Sequence, residues 1–368
     1  MARALLIETG EAHAECLPAQ VAALAQAGHT AEVLVHPALQ PRLAGLGLEA
    51  EVLPLVGRGP RILRDLRTVG RILLRARAVD GPVVFNTLAG AIPRLTIPLL
   101  TGSGPVLAIE HDVGRLATSR SRRALVRRID GLLVLADRLV APARAATGAT
   151  VTAFPPAWFP PVPRVPKPAG EVWLAVVGAI EVERRDYARL LAALANGCPG
   201  NLRIHLMGRP AGSAGHAMAE ALRKIPGVVL HEGFLPEERL HGILAACDGL
   251  LPLVEGRERY VRHAVSGAFN LAQAHALPLV AGQHLDIGPE VDDRCLIPHP
   301  HEDLGGLLRR LAATPRLLTE ARDDLRRDPR WSFATLQEQY LTALGLTGRR
   351  ASASYRAPSW DGRQPQWA

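Results

Sequence analysis

Short apolar runs alternate along this chain with longer stretches in which apolar residues recur every three or four positions. Ala4, Leu5, Leu6 and Ile7, closed by Glu8, form the first run. Others follow at 31–36, 82–86, 106–110 and 131–135. Between them 13–27, 61–77 and 118–129 carry helical spacing, and Gly28 stands where the first helix should stop. Continuous apolar runs separated by helices predict a parallel sheet covered on both faces.

The pattern breaks once and then restarts. Seven prolines fall between Phe154 and Pro168. Proline fixes φ and removes a backbone donor, so this stretch reads as a stiff linker rather than as part of a sheet. Beyond it, strands are predicted at 172–177, 202–207, 228–230, 250–254 and 279–280. Helices are predicted at 185–195, 214–225, 236–246 and 267–276, and further helices fill 302–344. The expected organisation is a Rossmann-like domain over 1–154, a linker over 155–170, a second Rossmann-like domain over 171–330 and a helix over 331–346. The tail, 347–368, is rich in Ser, Gly, Pro and Arg and reads as disordered. A length of 368 residues agrees with two cores, and aromatics at 4% against 48% apolar residues make those cores aliphatic.

Composition removes several classes of function. No uncharged apolar run is long enough for a transmembrane helix. Met1, Ala2 and Arg3 lead directly into the first strand-like run, so no signal peptide is expected. Cys16, Cys198, Cys247 and Cys295 lie far apart with no Cys-x-x-Cys pair, which points to reduced thiols, a cytoplasmic chain and no metal site. Up to Val165 there are 19 arginines against 12 acidic residues; beyond it 24 basic residues face 23 acidic ones. The first half therefore holds the positive excess. With 41 arginines and two lysines, the excess fits either an anionic partner or a genome that favours arginine codons.

In open parallel sheets ligands bind at the carboxyl ends of strands. The run 172–177 ends at Gly178, and Arg184 and Arg185 follow at the expected start of a helix. Guanidinium groups beside a helix N-terminus favour phosphate, although the same residues also fit a solvated first turn. Glu110, His111 and Asp112 end another apolar run. His111 could polarise a bound group with Asp112 orienting its ring, or could be structural. Arg61, Arg64, Arg67, Arg71 and Arg75 recur on one helix face, and Arg120, Arg122, Arg123, Arg127 and Arg128 form a second cluster. Such faces suit anionic lipid or a phosphate-bearing acceptor, and equally plain solvent. No aromatics interleave with them, so nucleic acid is not expected.

Taken in order, the segments from Gly178 to Arg185, Met207-Gly208-Arg209, Gly233-Phe234-Leu235 followed by Glu237-Glu238-Arg239-Leu240, and Ser266-Gly267 to Pro278 resemble the donor domain of GT-B glycosyltransferases of the group-1, family-4-like type. The opening loop around Gly10, His13 and Glu15, with its helix ending at Gly28-His29, is similar to that superfamily's acceptor domain. The resemblance implies an α/β fold of GT-B architecture, two Rossmann-like domains facing across a cleft. It implies that Arg184 and Arg185 clamp a nucleotide diphosphate, with Gly178 and Gly208 beside it. It implies that Gly233, Phe234 and Leu235 receive the base, that Ser266 and Gly267 meet the donor phosphates and sugar, and that His111 and Asp112 serve catalysis. Gly10, His13 and Glu15 become acceptor-site candidates. Ser266 also fits a plain helix N-cap.

The sequence departs from the resemblance at one place. Where such donor domains have two glutamates separated by seven residues, His263 and Leu271 stand here, with Glu255 and Glu258 just upstream. The expectation is a metal-independent, cofactor-free glycosyltransferase. It would move a sugar from a UDP- or GDP-linked donor to an unidentified acceptor with retention, in the cytoplasm or at the inner membrane face. The alternatives are a non-catalytic nucleotide-sugar-binding partner protein on the same scaffold and a sugar-nucleotide epimerase.

Overall fold

The computed structural model describes residues 1–57, 60–100, 102, 104–231, 233–254, 262–282, 296–299 and 303–347. Its first sheet has seven strands: β1 (Arg3–Glu8), β2 (Thr30–Val35), β3 (Glu51–Val52), β4 (Val83–Phe85), β5 (Val106–Glu110), β6 (Gly131–Val134) and β7 (Val151–Ala153). They lie in the order β3-β2-β1-β4-β5-β6-β7. The second sheet has β8 (Val172–Val177), β9 (Leu202–Met207), β10 (Val228–His231), β11 (Gly249–Leu250), β12 (Leu279–Gly282) and β13 (Leu296–His299), ordered β10-β9-β8-β11-β12-β13. Every pair within both sheets is parallel.

Alternation along each strand splits the apolar runs between two layers. Leu5 and Ile7 enter one core with Phe85 and Ala108, while Ala4 and Leu6 enter another with Val84 and Leu107. In the second sheet Val172, Leu174 and Val176 face one layer and Trp173, Ala175 and Val177 the other. The C-terminal helix Phe333–Ala343 crosses back to the first domain. It packs on the helix Cys16–Gln26, buries Tyr340 against Phe154, and its Gln337 amide donates to the Ala23 carbonyl.

Several elements differ from the sequence expectation. The first helix begins at Cys16 because His13 adopts a left-handed φ of 67°, which no helix accommodates. The stretch 118–129 is two helices, Gly114–Thr118 and Arg120–Val126, divided at Ser119, whose extended backbone and hydroxyl cap the second. The helix expected at 185–195 is Tyr187–Ala193, with Asp186 accepting the Arg189 N–H as its cap. Only Gly249–Leu250 of the next apolar run joins the sheet, and Leu253 turns away at φ 49°. Strands β3, β7 and β13 and the helices Ala91–Thr96 and Val140–Thr147 had no counterpart in the sequence reading. Cys295 and the tail beyond 347 lie outside the described residues. Among the described residues no helix is long and apolar enough to cross a membrane.

Candidate active site

Strand order reverses between β1 and β4 in the first sheet and between β8 and β11 in the second. Such switch points open crevices at the carboxyl ends of strands. Here both crevices meet in one cleft of about 1540 Å³, open solvent included.

The first-domain wall is built on buried polar groups. Glu8, the last residue of β1, is fully buried. It accepts the Gly10 N–H at 2.6 Å and the Thr87 hydroxyl at 2.7 Å. Burial pushes its pKa to about 7 despite those bonds. Above it, His13 stacks on His111 with ring centroids 3.6 Å apart. His13 Nδ1 is 3.1 Å from Glu15 Oε1. Burial pulls the His13 pKa down, but the hydrogen bond and charge of Glu15, with the charge of Glu8, leave it raised. Burial acts upward on Glu15, and His13 and His111 together overcome it, bringing that carboxyl to about 2. This His–carboxylate pair faces the cleft.

His111 plays a different part from the one expected. Its Nε2 lies 2.7 Å from the Asn86 carbonyl, an acceptor only, so this nitrogen carries the proton and donates. Burial and the neighbouring His13 lower its pKa to about 4, which keeps the ring neutral. Nδ1 is buried and has no partner among the described residues. Asn86, not Asp112, therefore orients the ring. Asp112 lines the cleft but pairs with Arg115 at 3.4 Å, and its backbone bridges Ala264 of the second domain. Glu110 does not point to the cleft: it is buried against Arg122, which reaches both carboxylate oxygens at 2.5 and 2.6 Å.

The second-domain wall starts at Gly178, whose φ of 100° only glycine holds easily. A Cβ at Gly178 would overlap the Arg185 guanidinium, so the glycine makes room for that arginine. Arg185 donates to the Pro252 carbonyl, and Arg184 lies 3.3 Å from Glu181; both arginines line the cleft. Neither is helical, since the helix starts at Tyr187 and Asp186 caps it. The helix that does present its N-terminus to the cleft is Gly267–Ala274. Ser266 occupies its N-cap position, but the hydroxyl makes no capping bond.

Other expected residues fall outside the cleft lining. Gly208 packs beneath Gly178, where a Cβ would overlap the Gly178 carbonyl, so its part is close strand packing. Gly10 serves Glu8. Gly233, Phe234 and Leu235 sit at the edge, with Phe234 exposed and the Arg42 guanidinium 5.2 Å from its ring centre. His263 is at the seam between domains: its carbonyl accepts the Val113 N–H at 2.8 Å and its ring abuts Gly114. Leu271 does line the cleft, while Glu255 and Glu258 lie outside the described residues.

Sequence reasoning missed Glu8, Asn86, Arg42 and Glu237. Glu237 is buried, lines the cleft and holds Arg42 Nε at 2.5 Å across the domain boundary. Glu8 left one signal, a carboxylate ending an otherwise apolar buried run. Arg42 left none, because its short helix Gln40–Ala44 lacks a pattern. Among the described residues no three His, Cys, Asp or Glu side chains are grouped to hold a metal ion.

No protein-family model matches the sequence, and no curated protein sequence does. Solved structures do match. HepE from Anabaena, in complex with UDP-glucose, aligns over 94% of this chain and 100% of its own at 14% identity and TM-score 0.66. The chain has the GT-B fold. MnaA from S. aureus, solved with UDP, aligns over 96% of this chain and 100% of its own at 13% identity and TM-score 0.61. The lipopolysaccharide outer core galactosyltransferase WaaB aligns over 93% and 99% at 11% identity and TM-score 0.57. At these identities the likeness is one of fold.

Proposed function

We propose that the chain is a glycosyltransferase that moves a sugar from a UDP- or GDP-linked donor to an acceptor held by the first domain. One observation carries this reading: a His13–Glu15 pair on one wall of the cleft faces Arg184, Arg185 and the N-terminus of the helix Gly267–Ala274 on the other. Cationic side chains and a helix N-terminus stabilise a leaving diphosphate. A histidine whose pKa an adjacent carboxylate raises is a stronger base toward an acceptor hydroxyl. Fold neighbours solved with UDP-glucose and with UDP support a nucleotide-sugar donor.

In this reading His13 Nε2 takes the acceptor hydroxyl's proton as the oxygen attacks the anomeric carbon. The bond to the diphosphate breaks, and Arg184 and Arg185 receive the charge. Glu15 holds the imidazole and stabilises the imidazolium that forms. Neutral His111 packs against that ring and holds it in place. The resemblance implies retention; base and leaving group on opposite walls suit a single displacement with inversion as well.

Two assays test the reading. Incubation with UDP-glucose, GDP-sugars and a panel of glycan acceptors should release free nucleoside diphosphate with acceptor-dependent product, whose anomer NMR identifies. Nucleotide binding without turnover on any acceptor would favour the non-catalytic binding protein. That second reading draws on Leu271, an apolar side chain lining the cleft where a ribose-binding carboxylate was expected.

A further inference from the structure

The helix Arg61–Ala78 carries three sectors. Thr68, Val69, Ile72 and Ala76 are buried against the sheet. The basic ridge is largely engaged: Arg71 and Arg75 bind the Glu51 carboxylate, and Arg64 donates to the Gly57 carbonyl. The third sector is apolar and faces solvent. Ile62, Leu66 and Leu74 follow at spacings of four and eight with Leu63 beside them, and they are 68%, 55%, 63% and 48% exposed. The short helix Ala91–Thr96 packs on this helix and leads into the turn Ile97–Leu99, adding exposed Leu95 and Leu99.

Exposed large apolar residues are normally scattered singly. Among the described residues nine are exposed, and seven of them fall between Val56 and Leu99. Arg61, Arg67, Arg77 and Arg94 are exposed in the same segments. Arg67, Arg77 and Arg94 form no ion pair among the described residues, while Asp65 is taken by Arg61. A second copy is a poor occupant, because a two-fold contact would set this arginine rim against itself. An anionic lipid surface suits both parts of the face, apolar side chains entering the head-group boundary and guanidiniums meeting lipid phosphates. The helix leaves the sheet at the carboxyl edge after β3 and returns toward the amino edge of β4. Ile62, Leu63 and Leu66 thus lie at the edge of the sheet that opens into the cleft.

We propose that this face docks on an anionic bilayer, with Ile62, Leu63 and Leu66 inserted and Arg67 and Arg94 on the lipid phosphates. The proposal needs no donor and stands apart from the transfer reaction. Flotation of the full chain with vesicles of phosphatidylcholine, alone or mixed with phosphatidylglycerol, tests it. Wild type should bind the mixed vesicles at low salt and be released as salt rises. The Ile62→Gln, Leu63→Gln, Leu66→Gln variant keeps the net charge, and its partition coefficient should fall more than about tenfold. Arg67→Gln with Arg94→Gln should erase most of the preference for the mixed vesicles. All three sites in the first variant are about half-exposed or more, so its melting temperature should match wild type. Three results would overturn the proposal: no binding to the mixed vesicles, undiminished binding by the glutamine variant, or a wild-type dimer in sedimentation that this variant makes monomeric.

Discussion

His13 combines backbone strain with a side chain aimed at a cleft. A left-handed φ at a residue with a Cβ costs on the order of 1–3 kcal/mol, and such residues cluster at functional sites. Asparagine tolerates this conformation better than histidine. His13→Asn should therefore keep the fold while lowering kcat by about 10²- to 10⁴-fold, the usual worth of a general base. The base must be neutral to act, and its pKa is raised, so kcat/KM should climb with pH through a value above the ordinary histidine range. Glu15→Gln removes the hydrogen bond and charge that raise it, and the acidic limb should move to lower pH. Glu8 titrates nearby, so the limb must persist in Glu8→Gln to belong to His13. Glu8 makes its own prediction. The folded state keeps this proton up to about pH 7, while the unfolded chain releases it near the ordinary 4.5. The folded form thus binds the extra proton between those values, and stability falls as pH rises through that window. Glu8→Gln removes this titration, so its stability relative to wild type should rise from acid to pH 8. Denaturant titrations at both pH values measure it.

Among the elements, those with long, regular patterns were legible and several of the short ones were not. Runs 4–8, 106–110 and 172–177 predicted β1, β5 and β8 because continuous apolar residues buried on both faces leave a plain signal. β3 pairs through two residues and β7 through three, too few to display a period, and the run at 250–254 gave only the start of β11. The site followed the same division. Gly178, Arg184 and Arg185 were readable because they follow a clear strand. The Arg42–Glu237 pair joins residues 195 positions apart and depends on how the domains meet, which no local pattern encodes. The C-terminal helix supplies an element-scale test. Tyr340 is fully buried against Phe154 in the first domain. Tyr340→Ala should destabilise that domain by about 3–5 kcal/mol, as for other large aromatic truncations. Thermal unfolding of the full chain should show the loss as an earlier first transition.

At the scale of the whole molecule, two switch points become one site because the domains are pinned face to face. Asp112 bridges Ala264, Arg138 donates to the Ala264 carbonyl at 3.0 Å, and Arg42 reaches Glu237. The linker divides between the domains: Phe154, Pro155 and Pro156 are buried, while the Val165 N–H donates to Gly242 and Lys167 pairs with Asp248. The pinned walls bring a candidate base and a candidate phosphate clamp to one space, so binding of a nucleoside diphosphate is the central claim. Calorimetric titration of UDP and GDP into wild type and into the Arg184→Ala, Arg185→Ala double variant tests it most directly. Hydrogen bonds to charged groups are worth about 1.5–3 kcal/mol, so the variant should bind its preferred diphosphate at least about tenfold more weakly, with uridine or guanosine binding unchanged. Wild type that binds neither diphosphate, or a folded double variant with unaltered affinity, would contradict the account.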